Sequence, residues 1–224
     1  MRAVITGASR GIGRELVRQL LARGDEVDAC VRDPEALREL RAEKLRVHRV
    51  DVTDAATVAA LARELGSTAV DLVINNAGVY GGAEQTIRGV DFADALRTFE
   101  ANALGALRVS LAVLPHLRRG TGKKLVHVTS GMGSIADNTS GGFYSYRMSK
   151  AALNMMSRTL AIDLRADKII SFVINPGWVK TDMGGPSAPT EVADSVRGIL
   201  RAIDGATLDD SGEFLNWRGG RYPW

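Results

Sequence analysis

Residues 2–21 read Arg2-Ala-Val-Ile-Thr6-Gly7-Ala8-Ser9-Arg10-Gly11-Ile12-Gly13-Arg14-Glu15-Leu16-Val17-Arg18-Gln19-Leu20-Leu21, and this stretch decides the fold. Residues 2–6 are a short β-rich run that meets glycine at once. Ile12, Leu16, Val17, Leu20 and Leu21 then recur with helical spacing. A strand, a glycine turn and a helix N-terminus in that order make an anion site. The glycines let the backbone come close, and free N–H groups with the helix dipole face a pyrophosphate. Gly7, Ser9, Arg10, Gly11, Ile12 and Gly13 are therefore the candidate phosphate cradle. A strand–helix turn that merely needs small residues has the same look, so the rest of the chain must support the reading.

It does so by repetition. Strands are expected at 26–31, 45–50, 71–74, 124–129, 169–174 and near 213–215. Helices are expected from Pro34, after a cap at Thr53 or Asp54, over about 91–118, through Tyr146 and Lys150 to about Arg165, and over about 191–203. Strands alternating with helices imply right-handed βαβ units and a parallel sheet. The segments 79–90 and 134–143 read as loops, and 177–190, with its glycines and prolines, as a mobile one. There is no internal linker and no repeat beyond the alternation, so residues 1–224 are expected to form one domain.

Composition narrows the class. Hydrophobic residues make up 45% and charged residues 25% of the 224, as in an ordinary globular protein. The formal charge of +3 comes from scattered basic residues, which gives no pointer to nucleic acid or to a membrane surface. The single Cys30 excludes an internal disulfide, and His48, His116 and His127 show no metal-ligand spacing, so no metal is expected. His127, alternating with apolar neighbours, reads as a packed strand residue. The strand pattern begins almost at the first residue and no apolar run spans a membrane, so the cytoplasm is the expected compartment.

In open parallel sheets, ligands sit outside the carboxyl ends of the strands. The glycine motif, Asp51, Asn75 to Gly78, Ser130 and Pro176-Gly177 all fall at strand C-termini and gather on one edge. Tyr146 and Lys150, four apart on a helix, share one face. An ammonium beside a phenol favours the phenolate, so Lys150 is expected to lower the Tyr146 pKa and let it exchange a proton near neutral pH. The bland alternative is a surface pair that happens to fall at helical spacing.

Together, Thr6 to Gly13, Asn75-Asn-Ala-Gly78, Asn102, Ser130, Tyr146-x-x-x-Lys150 and Pro176-Gly177 resemble the short-chain dehydrogenase/reductase family over nearly the whole chain. Residues 144–154, 176–185 and the Trp-terminated tail look like its C-factor and carbonyl-reductase branch. The resemblance implies a Rossmann-type, doubly wound α/β sheet. It implies Tyr146 as acid–base, Lys150 as its tuner and a hold on the nicotinamide ribose, Ser130 as donor to a substrate carbonyl, and Asn102 as anchor for a water in a relay through Lys150. Ser130 precedes Tyr146 by a few residues more than is usual. Ser134 is the alternative, and Ser130 is favoured because it ends the strand.

Asp51 and Val52 would contact adenine, although a helix-capping role suits Asp51 nearly as well. Asn76, Ala77 and Gly78 would line the adenosine side, and Pro176, Gly177, Val179 and Thr181 the nicotinamide side, with Tyr146 and Lys150 also touching cofactor. Trp178 is either a pocket wall or a buried aromatic. The position for an acidic ribose ligand holds Val31, followed by Arg32, while Arg10 adds a second cation. Two guanidiniums suit a 2′-phosphate, so NADP(H) is the expected cofactor. Asp33 competes but suits a cap before Pro34. The expected activity is hydride transfer between NADP and a small carbonyl/alcohol substrate, and the rival is a dinucleotide-binding signalling protein. Residues 101–114 and 151–162, apolar on more than one face, allow a homodimer.

Overall fold

The computed structural model describes residues 1–40 and 42–224. Arg2–Thr6 (β1) leads through the glycine turn into Gly11–Ala22 (α1), and Glu26–Val31 (β2) follows. Leu45–Arg49 (β3), Ala55–Leu65 (α2) and Leu72–Asn75 (β4) continue the alternation. A two-stranded hairpin, Gln85–Thr86 (β5) and Gly89–Val90 (β6), precedes Phe92–Phe99 (α3) and Gly105–Arg119 (α4). Lys124–Val128 (β7), Tyr144–Asp163 (α5), Ile170–Asn175 (β8), Val192–Gly205 (α6) and Phe214–Asn216 (β9) complete the chain.

Seven strands form one parallel sheet in the order β3-β2-β1-β4-β7-β8-β9. The chain winds outward in one direction from β1 to β3, then returns to the other side of β1 at β4. That reversal opens a crevice above the C-terminal ends of β1 and β4. One apolar core packs α1 and α6 on one face of the sheet, and a second packs α2, α4 and the end of α5 on the other. With both faces covered, β4 and β8 are buried at every position, and His127 on β7 is fully buried as a packed strand residue. Asp54 caps α2 by accepting from Ala56 N at 2.8 Å.

Two helices differ from expectation. Asp33 does cap a turn at Pro34, accepting from Glu35 N at 3.1 Å, but only a 3-10 turn forms over Pro34–Leu37. Among the described residues, Leu37 and Leu40 are the only side chains this segment lays on the core, too little apolar surface to hold a longer helix. The helix read as continuous over 91–118 is interrupted by a π-turn, Glu100–Leu104, closed by Gly105 N–H to Glu100 O. The π-turn centres on Asn102, whose side chain is bonded to a neighbouring loop rather than to its own helix. The tail turns back after β9, with Leu215 and Arg221 paired antiparallel. Among the described residues, no helix is long and apolar enough to cross a membrane.

Candidate active site

The glycine turn sits at the reversal point. Gly7 has φ 65°, a left-handed conformation, and a side chain there would meet Ala77 Cα at 2.7 Å. A Cβ on Gly13 would lie 2.2 Å from Gly7 O, so α1 packs on the turn only because the position is bare. The β1 and β4 ends are knitted together: Thr6 Oγ1 accepts from Asn76 N at 3.0 Å and Ala77 N at 3.1 Å, and Asn76 Nδ2 donates to Thr6 O and Gly7 O. Among the described residues no side chain caps the N-terminus of α1, whose first N–H groups end in this turn. Bare backbone, a positive-φ glycine and an uncapped helix start make a cradle that fits a pyrophosphate.

A cleft of about 1680 Å³ runs from this cradle along the strand ends. Every expected site residue lines it except Gly13, packed against Gly7, and Asn102, bonded to Val79. At one end lie Arg32, Asp51 and Val52. Burial pushes the Asp51 carboxyl up, but hydrogen bonds from Thr53 and the nearby Arg32 charge outweigh it and hold the pKa down. Asp51 takes Thr53 N at 2.9 Å and Thr53 Oγ1 at 2.7 Å, which leaves the capping of α2 to Asp54. Arg10 reaches across the cleft to Asp182 at 2.8 Å, and both side chains are about three-quarters exposed (73% and 74%).

At the other end, the first turns of α5 carry Tyr146 and Lys150, 6% and 5% exposed. This burial excludes the reading of a surface pair. Lys150 Nζ donates to Val128 O at 2.9 Å and lies 5.8 Å from the centre of the Tyr146 ring. The net shift of Tyr146 runs opposite to the expected one. Burial pushes the phenol up to about 12, the Ser130 hydroxyl opposes this, and the Tyr80 phenol adds to it. Burial also brings the Lys150 ammonium down to about 8. Desolvation disfavours both charged forms, and here it exceeds the attraction that spacing alone suggests.

Ser130 lines the cleft, its Oγ accepting from Met132 N at 3.1 Å. Ser134 is turned away: its hydroxyl donates to Trp224 O and accepts from Asp137 N. Asn102 is 1% exposed, with its amide donating to Val79 O at 2.8 Å and Ser149 Oγ at 2.9 Å and accepting from Val79 N at 2.7 Å. Its side chain thus ties the loop after β4 to Ser149 on α5. Beyond β8, Gly177 N donates to Asn175 Oδ1, Val179 pairs with Thr190, and Thr181 Oγ1 accepts from Gly184 N. Trp178 is 58% exposed and lines the cleft, a wall and not a buried aromatic.

Three cleft residues were not singled out from the sequence. The Tyr80 ring packs 4.7 Å from that of Tyr146, Met183 Sδ lies 4.0 Å from Tyr146 Oη, and Tyr222 reaches over Gly131 from the tail. Tyr80 and Met183 belong to irregular segments without periodicity, and only the aromatic tail carries a signal that could have drawn attention to Tyr222.

A dinucleotide cradle at the reversal point of a parallel sheet, leading to a buried tyrosine and lysine, defines a Rossmann-type nucleotide-binding protein. The family profile described as short chain dehydrogenase matches residues 1–192, and the chain belongs to that oxidoreductase family, on its carbonyl-reductase-like branch. The C-signal protein of Myxococcus xanthus is 54% identical over 155 residues, 69% of this chain and 93% of that one. The 1-hydroxy-2-glutathionyl-2-methyl-3-butene dehydrogenase of Rhodococcus sp. (strain AD45) is 37% identical over 229 residues, covering 99% and 98%. Among solved structures, NADPH-bound carbonyl reductase from chicken fatty liver superposes with a TM-score of 0.93 at 34% identity, over 100% of this chain and 98% of that one.

Proposed function

We propose that the protein is an NADP-dependent reductase that interconverts a small carbonyl compound and its alcohol, with the whole chain acting as one NAD(P)-binding unit. The observation that carries this reading is the meeting of Ser130, Tyr146 and Lys150 at one end of the cleft whose other end holds the phosphate cradle. When bound, the nicotinamide supplies the hydride. Ser130 donates a hydrogen bond to the carbonyl oxygen, where negative charge develops. Tyr146 gives its proton to the nascent alkoxide, and its raised pKa keeps that proton in place at neutral pH. Lys150 holds the ribose and, being desolvated to about 8, is poised to return a proton to the phenol. A water relay at Asn102 would have to use its main chain, since its amide is committed to Val79 and Ser149. Pro176, Gly177, Val179 and Thr181 would seat the carboxamide end.

Arg32, exposed beside Asp51 where an acidic ribose ligand would otherwise stand, supports NADP, and Arg10 lies within the same cleft. The NADPH bound to the chicken carbonyl reductase points the same way. The cytoplasm is the proposed compartment. Exposed Met148, Met155 and Ile162, each seven residues apart on α5, with Leu104 and Leu111 at the same interval, support a homodimer.

The identity to C-signal favours a second reading, a dinucleotide-binding signalling protein with little catalysis. NADPH oxidation against a panel of ketones, aldehydes and quinones separates the two. Turnover of at least one carbonyl supports the reductase, whereas tight NADPH binding with no turnover supports the signalling reading.

A further inference from the structure

The helix that carries Tyr146 starts without a cap of its own. Its N-cap residue, Phe143, has a left-handed backbone (φ 53°) and offers no side-chain hydrogen bond. The first N–H groups of a helix have no intrahelical partner, and Tyr146 N, third in α5, is one of them. Its partner comes from 61 residues away: Gln85 Oε1 accepts from Tyr146 N at 3.0 Å. The same amide spends both donors on the loop after β4, Nε2 donating to Tyr80 O at 3.0 Å and to Gly82 O at 2.7 Å. Gln85 is only 2% exposed. Because Tyr146 N can only donate and the two carbonyls can only accept, the amide has one possible orientation. One side chain therefore fixes the main chain at Tyr146 and also the carbonyl of Tyr80, the residue whose ring packs 4.7 Å from the Tyr146 ring.

We propose that Gln85 is a positioning residue for Tyr146, holding the phenol in register with Ser130 and the Tyr80 ring against it. The proposal rests on Tyr146 as the proton donor, and the function of the 85–90 hairpin is then to carry this glutamine. A shift of about 1 Å in a reacting group costs on the order of a hundredfold in rate, so a modest slip of the helix start is enough to matter.

The test uses Gln85→Met, similar in length but without hydrogen bonds, and Gln85→Glu, which keeps the acceptor but loses both donors. Single-turnover NADPH oxidation with nitrobenzaldehyde as the probe carbonyl is measured alongside NADPH affinity. NMR of ring-labelled tyrosine, with Tyr146 assigned by the loss of its signal in Tyr146→Phe, reports position independently of turnover. For Gln85→Met the expected result is a rate at least about tenfold slower, NADPH affinity within about twofold, and a moved Tyr146 resonance. For Gln85→Glu, rate relative to wild type is expected to recover below about pH 6, where the protonated carboxyl can donate again to one carbonyl. An unmoved resonance with an unchanged rate overturns the proposal, as does a lowered melting temperature with kinetics intact. If Gln85→Met does not fold, a pH-independent ratio for Gln85→Glu overturns it. Full activity in Tyr146→Phe defeats the proton-donor reading instead, and the Tyr146 resonance still decides the role of Gln85.

Discussion

Raising the pH acts on the two directions of the reaction in opposite ways. Burial holds the Tyr146 phenol up at about 12, so at pH 7 its ionised fraction is about 10⁻⁵. Donation of a proton to an alkoxide draws on a full population of phenol, so carbonyl reduction is expected to stay flat from about pH 6 to 8. Alcohol oxidation needs the phenolate as base, a population that grows about tenfold per pH unit, or about a hundredfold over the same interval. Above about pH 8 Lys150 loses its charge, the cation beside the phenol disappears, and the oxidation profile is expected to become shallower. Stopped-flow single turnovers in each direction, followed by nicotinamide absorbance at constant ionic strength, read both profiles. An oxidation rate that levels off below about pH 8 would mean a phenol titrating near neutrality, and would refute the dominance of burial at this residue.

Wild-type protein is expected to bind NADPH at least about tenfold more tightly than NADH, about 1.4 kcal/mol, and Arg32→Asp to shrink or reverse the ratio. Fluorescence titration decides it, and equal wild-type affinities contradict the assignment. His48 has Glu64 at 2.6 Å from Nδ1 and Asp28 at 2.8 Å from Nε2, so two carboxylates face two ring nitrogens and the imidazolium is favoured. Burial opposes that charge, but the hydrogen bonds outweigh it and raise the pKa of His48; burial opposes the Asp28 carboxylate too, and His48 and Arg2 lower its pKa nonetheless. The His48 contribution is therefore present below about pH 6.5 and lost as pH rises, and the Asp28 contribution is present above about pH 4 and lost as pH falls. The melting-temperature difference between wild type and His48→Gln should be largest between these limits, at about 2–4 °C per kcal/mol, and a difference that does not vary with pH contradicts it. Light scattering should give twice the 24.0 kDa of one chain, with Ile162→Glu shifting the protein to a monomer; a monomeric wild type ends the homodimer reading.

The sheet, its strand ends and the cradle were legible because each rests on local signals: β-rich runs, the glycine spacing from Gly7 to Gly13, and apolar positions at helical intervals. Spacing also placed Tyr146 beside Lys150. It could not give the sign of their pKa shifts, because that depends on how deeply the fold buries them. The π-turn was hidden for a similar reason. Residues 100–104 have helical composition, and the disturbance follows from the bonds of Asn102 to Val79 and Ser149, 23 and 47 residues away. Likewise Ser130 and Ser134 differ little in sequence, but the tail binds one of them through Trp224 and leaves the other in the cleft. Gln85 and Tyr80 sit in a segment without periodicity, and their role comes from what they touch.

Tyr146→Phe removes one hydroxyl from a residue that the fold already buries, and with it the proposed proton donor. The measurement is single-turnover NADPH oxidation with every carbonyl that the wild type reduces, paired with NADPH titration. The expected rate is lower by at least about 10²–10⁴, the usual share of general acid catalysis, with NADPH affinity retained through the glycine cradle and Arg32. Full activity of Tyr146→Phe on any of those carbonyls would contradict it.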